Sequence, residues 1–400
     1  RVEATGTITV NGTITANGIT VGHRAAGGSG GGIYLACNAF AGTNGSISAV
    51  GGDGTSIGGG GGGGRIAVVY NPAAQSVMPK PIVRFSALRG VSTGYGDGTI
   101  GSLFFPDNAL FSPVWMPHSG LVYIPNFTAW TVDAFTMTNG WLTFQGSPNH
   151  LQLTVTNTMT VMGSGSRLQL MDGEIACRNL TVTNGAALYV GSYATTNVQL
   201  IACAGDLAIS NNGILGIYAA DTNTAQTNYG ALVDVTGDIL IGNGGQLIPI
   251  SAYANGGSPL LNMNNLSIDA GGQINADAAG YGGSYGPGRG ADNGNYGSGG
   301  GGGYGGDGGV GWGGCAGGTT YGSSNAPADP GSCGGWSAYG YGGYGGGLVR
   351  VAARGNVTVN GTISANGGAP SILMGAGSGG GIYVRCERFG GGGVLRANGG

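Results

Sequence analysis

From Leu180 the chain reads LTVTNGAALYV, with Leu180, Val182, Leu188 and Val190 alternating with polar or small neighbours. Period two is the mark of a strand with one buried face, so these four point inward and Thr and Asn outward. The phrase returns as LAISNNGILGI from Leu207, ILIGNGGQLIPI from Ile239 and LSIDAGGQINA from Leu266. FTMTNGWLTF from Phe135 and MTVMGSGSRLQL from Met159 fit the same template, as do the two ends of the chain from Ile8 and Val357. Each copy is strand, Asn/Gly corner, strand, and starts from Phe135 onward are 24, 21, 27, 32 and 27 residues apart. That leaves room for a third short strand, such as VQLIAC from Val198, before the next copy. An Asn-Gly corner also suits a two-residue hairpin. Very short strands recurring at one coil length with constant phase favour parallel stacking instead. The expected fold is all-β: a right-handed parallel β-helix with three short strands per coil and long glycine-rich loop insertions. Each coil then completes its core only against its neighbours, with Leu180, Val182, Leu207, Ile209, Ile239, Ile241, Leu266 and Ile268 in inward parallel ladders.

The pattern divides the chain into glycine-rich coils (1–70), a Pro/aromatic-rich irregular segment or small module (71–134), regular coils (135–279), a Gly/Tyr-rich insertion (280–347) and coils repeating 1–51 (348–400). The repetition is in register: Asn11 with Asn360, Tyr34 with Tyr383, Cys37 with Cys386 and Phe40 with Phe389 share an offset of 349, and 13 of the first 18 positions are identical. A one-residue deletion then sets GSISAVGG opposite GVLRANGG. Slightly more than one super-repeat of a longer tandem protein is the expectation; convergence on one favourable coil is the alternative. Segment 71–134 holds seven of the fourteen prolines, which cannot donate to a ladder and so predict edges and loops. Its aromatic residues, Trp115 and Trp130 among them, either pack on the solenoid or form an interface. In 280–347, 32 of 68 residues are glycine, a composition usual in flexible linkers. Eight tyrosines with Trp312 and Trp336 favour instead an ordered excursion that covers the solenoid or meets another subunit.

Charge narrows the function. With 14 basic and 17 acidic residues, a net charge of −3 and one lysine, Lys80, the chain lacks the basic clusters that neutralise phosphates, so nucleic acid is not an expected partner. No apolar run reaches membrane-spanning length and no leader pattern opens the sequence. Six cysteines beside three histidines predict structural thiols or disulfides in an exported protein, without metal or cofactor. Cys315 and Cys333 could close a disulfide. Cys37, Cys177, Cys203 and Cys386 each end a third strand; on adjacent coils Cys177 and Cys203 would stack about 4.8 Å apart, as a bonded pair or as an unbonded thiol ladder.

Asp206 and Asp238, in GDLAI and GDILI, stand just before a first strand and share that slot with Asn179, Asn265 and Asn356. One reading is an Asx ladder, Asn179–Asp206–Asp238–Asn265, whose side chains satisfy corner backbone groups. The other is a stack of acids for calcium or general acid/base work. His23, His118 and His150 lie in unrelated segments and suggest no triad.

GSGGGIYLAC (Gly28–Cys37), GSGGGIYVRC (Gly377–Cys386) and GGGGGGGRIAVVY (Gly58–Tyr70), with NGTITANG beside them, resemble the glycine-rich β-helix repeats of bacterial cell-surface and secreted proteins of the adhesin or autotransporter-passenger type. The resemblance implies an extracellular or cell-surface structural or adhesive role and carries no catalytic residue across. Three readings follow. The chain is a section of a fibre, sheath or surface layer whose partner is itself; or an adhesin stalk contacting glycans or surfaces through aromatic loops; or a β-helix polysaccharide lyase or hydrolase, which would need acids and bases gathered in one outward groove.

Overall fold

The computed structural model describes residues 1–20, 22, 24–55, 57–144, 150–191, 193, 198–221, 229–294, 297–370 and 372–400. The fold is nearly all-β, of the solenoid-like class, with parallel strands in curled sheets. Among the described residues the one α-helix, Pro72–Ser76, is capped by the Asn71 side chain, and no helix is long and apolar enough to cross a membrane. Two compact units form: Arg1–Leu151 with Val161–Leu170, and Gln152–Thr160 with Met171–Gly400.

In the second unit three rows of parallel strands build the core. One row pairs Leu180 with Leu207, Leu207 with Ile239, Ile239 with Leu266, Leu266 with Val357 and Val357 with Phe389. A second runs through Ala187–Gly191, Ile214–Tyr218, Gln246–Ile250, Gln273–Asn275, Thr362–Ser364 and Val394–Arg396. The third links Gly173–Thr183 to Gln199–Cys203, Ala231–Val235, Pro259–Met263, Leu348–Ala353 and Gly381–Arg385. The eight residues expected in inward ladders are parallel neighbours with at most 1% exposure, as alternation on a one-sided strand requires.

The first unit stacks Gly32–Ala36, Arg65–Val69, Ser102–Phe104, Ser119–Tyr123, Trp141–Phe144 and Arg167–Leu170 in one row. Thr13–Thr15, Gly45–Ser48 and Val83–Ser86 form another. A short pairing, Thr7–Thr9 with Ala39–Ala41, ends where Gln75 of the helix meets Phe40: its Oε1 accepts from the Phe40 amide at 2.7 Å and its Nε2 donates to the Phe40 carbonyl at 3.1 Å. Segment 71–134, read as irregular, thus supplies strands to the same sheet. Its prolines all fall outside those strands, so none costs a ladder bond.

The glycine-rich excursions are ordered by another device. Gly27 and Gly30 donate to Gly59 and Gly62, whereas the adjacent Gly28 and Gly31 donate to Ile19 and Ala16. Gly60 and Gly63 bond Gly96 and Thr99, and their neighbours Gly61 and Gly64 bond Gly52 and Ala49. The second unit repeats the scheme within itself: Gly331 and Gly334 donate to Gly346 and Gly343, and Gly343 and Gly346 donate to Gly375 and Ser378. Donors three residues apart share a partner segment, and adjacent donors do not. That is the periodicity of an extended helix with three residues per turn, the polyproline II type. The segments lie so close that a Cβ on Gly61 would stand 2.1 Å from the Gly28 oxygen and one on Gly345 only 1.8 Å from that of Gly331. The 280–347 excursion is therefore held by backbone-to-backbone packing.

Candidate functional site

The Asx slot is a continuous ladder within the second unit. Asn179 Oδ1 accepts from the Asp206 amide at 3.0 Å, Asp206 Oδ1 from the Asp238 amide at 2.8 Å, Asp238 Oδ1 from the Asn265 amide at 3.0 Å, and Asn265 Oδ1 from the Asn356 amide at 2.7 Å. Each side chain satisfies an amide of the coil that follows. Asn264 and Asn265 also donate their Nδ2 groups to Asp238 Oδ1, both at 2.9 Å. The preceding glycine is part of the device: a Cβ on Gly205, Gly237 or Gly355 would lie 2.2–2.5 Å from the Oδ1 of the coil before it. The Gly-Asp and Gly-Asn pairs in the sequence mark this fit.

A related corner, which sequence reasoning did not assign, uses Asn17 Oδ1 to accept from the Val50 amide at 2.9 Å and Asp277 Oδ1 to accept from the Asn366 amide at 2.7 Å. Asn366 in turn accepts from Asn398 at 2.9 Å. The signal was present: Asn17 and Asn366 share the 349 offset. Among the described residues, no group of three or more His, Cys, Asp or Glu side chains gathers in a way that could hold a metal ion.

Cys177 and Cys203 face each other in register on parallel strands, with Sγ atoms 3.3 Å apart and both side chains buried as free thiols. The contact with the Cys177 thiol, then burial, raises the Cys203 pKa far above the usual range. The Cys315–Cys333 bridge that the sequence allows is not formed. Both are free; Cys315 Sγ donates to the Asp292 carbonyl at 3.2 Å and Cys333 Sγ to that of Tyr285 at 2.9 Å. Each thiol is directed to a backbone carbonyl of its own, not to the other sulfur. Cys37 is part-buried, with its pKa raised by desolvation.

The four tryptophans named as interface candidates separate. Trp130 is 7% exposed and packs on Phe111, Phe127, Phe135 and Phe144; of the two roles open to it, packing holds and the interface role does not, and the ring belongs to the first unit's core. Trp115 is half-buried, edge-on to His118. Trp312 and Trp336 remain 68% and 37% exposed. In the second unit a cavity of about 350 Å³ is walled by Tyr218, Tyr253 and Tyr344.

His118 is fully buried among Phe85, Phe111 and Trp115. Its Nδ1 accepts from the Phe85 amide at 3.3 Å and Nε2 has no hydrogen-bond partner. Burial, with a smaller push from Arg84, lowers its pKa to about 3, so the imidazole is neutral. His23 lies outside the described residues. No protein-family model, no curated protein and no solved structure matches the chain.

Proposed function

We propose that the chain is a section of a right-handed parallel β-helix with three short strands per coil, and that it is a non-catalytic extracellular structural protein whose repeats build a fibre, sheath or surface layer by self-association. The observation that carries this reading is the likeness of the repeated coils in bonding as well as in sequence. Asn11 accepts from the Thr43 amide and Asn360 from the Gly392 amide; Asn17 accepts from Val50 and Asn366 from Asn398. Gly32–Ala36 and Gly381–Arg385 are matching strands in the two copies. Coils that make the same bonds to their neighbours are interchangeable, which is what repetitive assembly along one axis needs.

The charge balance supports it: a net charge of −3 over 400 residues supplies little self-repulsion. The acids of the Asx ladder each spend an oxygen on the following coil's backbone, which favours a structural over a catalytic use. The second reading, an adhesin stalk binding neutral glycans, is favoured by the exposed Trp312 and Trp336 and by the tyrosine-walled cavity. Sedimentation and electron microscopy of the purified chain across a range of salt test the first reading. Long particles with an axial period set by one 349-residue unit are expected; a monodisperse particle of single-chain mass at every salt concentration overturns it.

A further inference from the structure

We propose that Cys177 and Cys203 form a disulfide that staples two successive coils, closed by exchange with a soluble small-molecule disulfide. Geometry selects this pair. Ile175 pairs with Ile201, Ala176 with Ala202 and Cys177 with Cys203 on parallel strands, and the Ala204 amide donates to the Cys177 carbonyl at 2.9 Å, so the backbones are locked in register on both sides of the thiols. Neighbouring strands lie about 4.8 Å apart, inside the roughly 4.4–6.8 Å Cα range that a disulfide accepts. The sulfurs, now 3.3 Å apart, need only side-chain rotation to reach bonding distance. The next coil presents Val235 at the same place, so the stack of thiols ends at two.

Every other thiol whose hydrogen bond is resolved has a carbonyl in front of it: Cys37 faces Val69, Cys315 faces Asp292 and Cys333 faces Tyr285. In the exchange, the thiolate of one cysteine attacks a sulfur of the oxidant RSSR, forming a protein–SR mixed disulfide and releasing RS⁻. The second thiolate attacks the protein sulfur of that intermediate and expels the other RS⁻. Two electrons and two protons pass from the pair to RSSR, giving the protein disulfide and two RSH. Burial of both thiols, and the proton held on Cys203, make attack easiest while the coil is transiently open. The staple closes one coil of chain and restricts the unfolded state.

The test equilibrates the full chain with oxidised and reduced glutathione at increasing ratio until the free-thiol count is constant, followed by acid quench, unfolding, alkylation and peptide mapping. The expected result is one linked peptide pair, Cys177–Cys203, forming at ratios where Cys315 and Cys333 are still thiols or singly glutathionylated, with a Tm several degrees higher that dithiothreitol reverses. Cys203→Val, which introduces the residue already standing at Val235, removes both the linked peptide and the Tm difference, whereas Cys333→Ser keeps both. If Cys177 and Cys203 stay alkylatable while other cysteines take up glutathione, or if either is linked elsewhere, the proposal is overturned.

Discussion

Around Leu207 the interior consists of side chains: Leu180 and Ile239 flank it on the adjacent strands, and all three are fully buried. Around Gly345 the interior consists of backbone: its amide donates to the Tyr281 carbonyl while its Cα is pressed against Gly331. Both regions satisfy peptide groups by pairing parallel or antiparallel segments. They differ in what fills the space. A coil with period two hides every second side chain and draws stability from apolar area. A threefold segment leaves room for a side chain at about every third position, as at Val50 and Asp53 beside Gly51, Gly52 and Gly54, whose Cβ atoms would collide with carbonyls. Glycine loses more conformational freedom on ordering than any other residue, so the second region gains through dense contact what it lacks in hydrophobic burial.

The sharpest probe of this contrast is acid, because the first unit's side-chain interior encloses an imidazole, His118, that burial keeps neutral. His118 has a pKa of about 3 when folded against an ordinary value near 6.5. The unfolded chain therefore binds the extra proton first, and stability that is complete above pH 6.5 is lost as pH falls towards 3. The full difference is about 5 kcal/mol. Tryptophan fluorescence from Trp115 and Trp130 should report loss of the first unit's packing over that window, and His118→Phe should flatten the dependence. Unchanged fluorescence stability between pH 7 and 4 in the parent chain would contradict a neutral buried imidazole.

Next in size is Leu207→Ala, expected to cost about 2–5 kcal/mol by cavity formation, with Leu207→Met held below about 1.5 kcal/mol because volume is conserved. Denaturant midpoints of the two variants check the ordering; equal losses would mean that the ladder is not close-packed. In the glycine region the rule should invert, since any added volume is harmful. Gly345→Ala should destabilise by about 1–3 kcal/mol through overpacking. Gly305→Ala, where a Cβ meets nothing within 4 Å, should be neutral or stabilising by up to about 1 kcal/mol. Amide exchange at Tyr281 and Gly331 reads the local effect, and equal behaviour of the two alanine variants would dissolve the distinction. The smallest effect belongs to the corners: Asp206→Asn with Asp238→Asn should change stability by no more than about 0.5 kcal/mol per site, because Asn already serves at 179 and 265. Loss of a polysaccharide-degrading activity in that double variant, with the fold retained, would reopen the enzyme reading.

The coils were legible because alternation at Leu180, Val182, Leu188 and Val190 is a side-chain signal, and the Asx ladder because one residue class recurs before each first strand. The threefold glycine packing was not, since hydrophobic periodicity has nothing to register in a run of glycines. Its trace is the spacing of the residues tolerated there, Asn17 and Thr20, then Val50 and Asp53, which also bond across at matching intervals: the Val50 amide to Asn17 and the Asp53 amide to Thr20. Segment 71–134 misled through its prolines, which interrupt the sequence between strands without entering them. Trp130 stayed undecided because an aromatic residue in a proline-rich stretch looks the same whether it turns inward or outward until its neighbours are known.

The Asx ladder has a consequence for how such a chain can change length. Each coil carries the acceptor for the amide of its successor, so the junction is directional and is spelled by one residue per coil. Excising Asp206 to Gly237, the 32-residue interval between two rungs, joins Gly205 to Asp238 and hands Asn179 the amide of another aspartate after the same glycine. Duplicating that interval does the reverse. A coil bounded in this way is a copyable word: recombination between two corners lengthens or shortens the text in frame and leaves every junction grammatical.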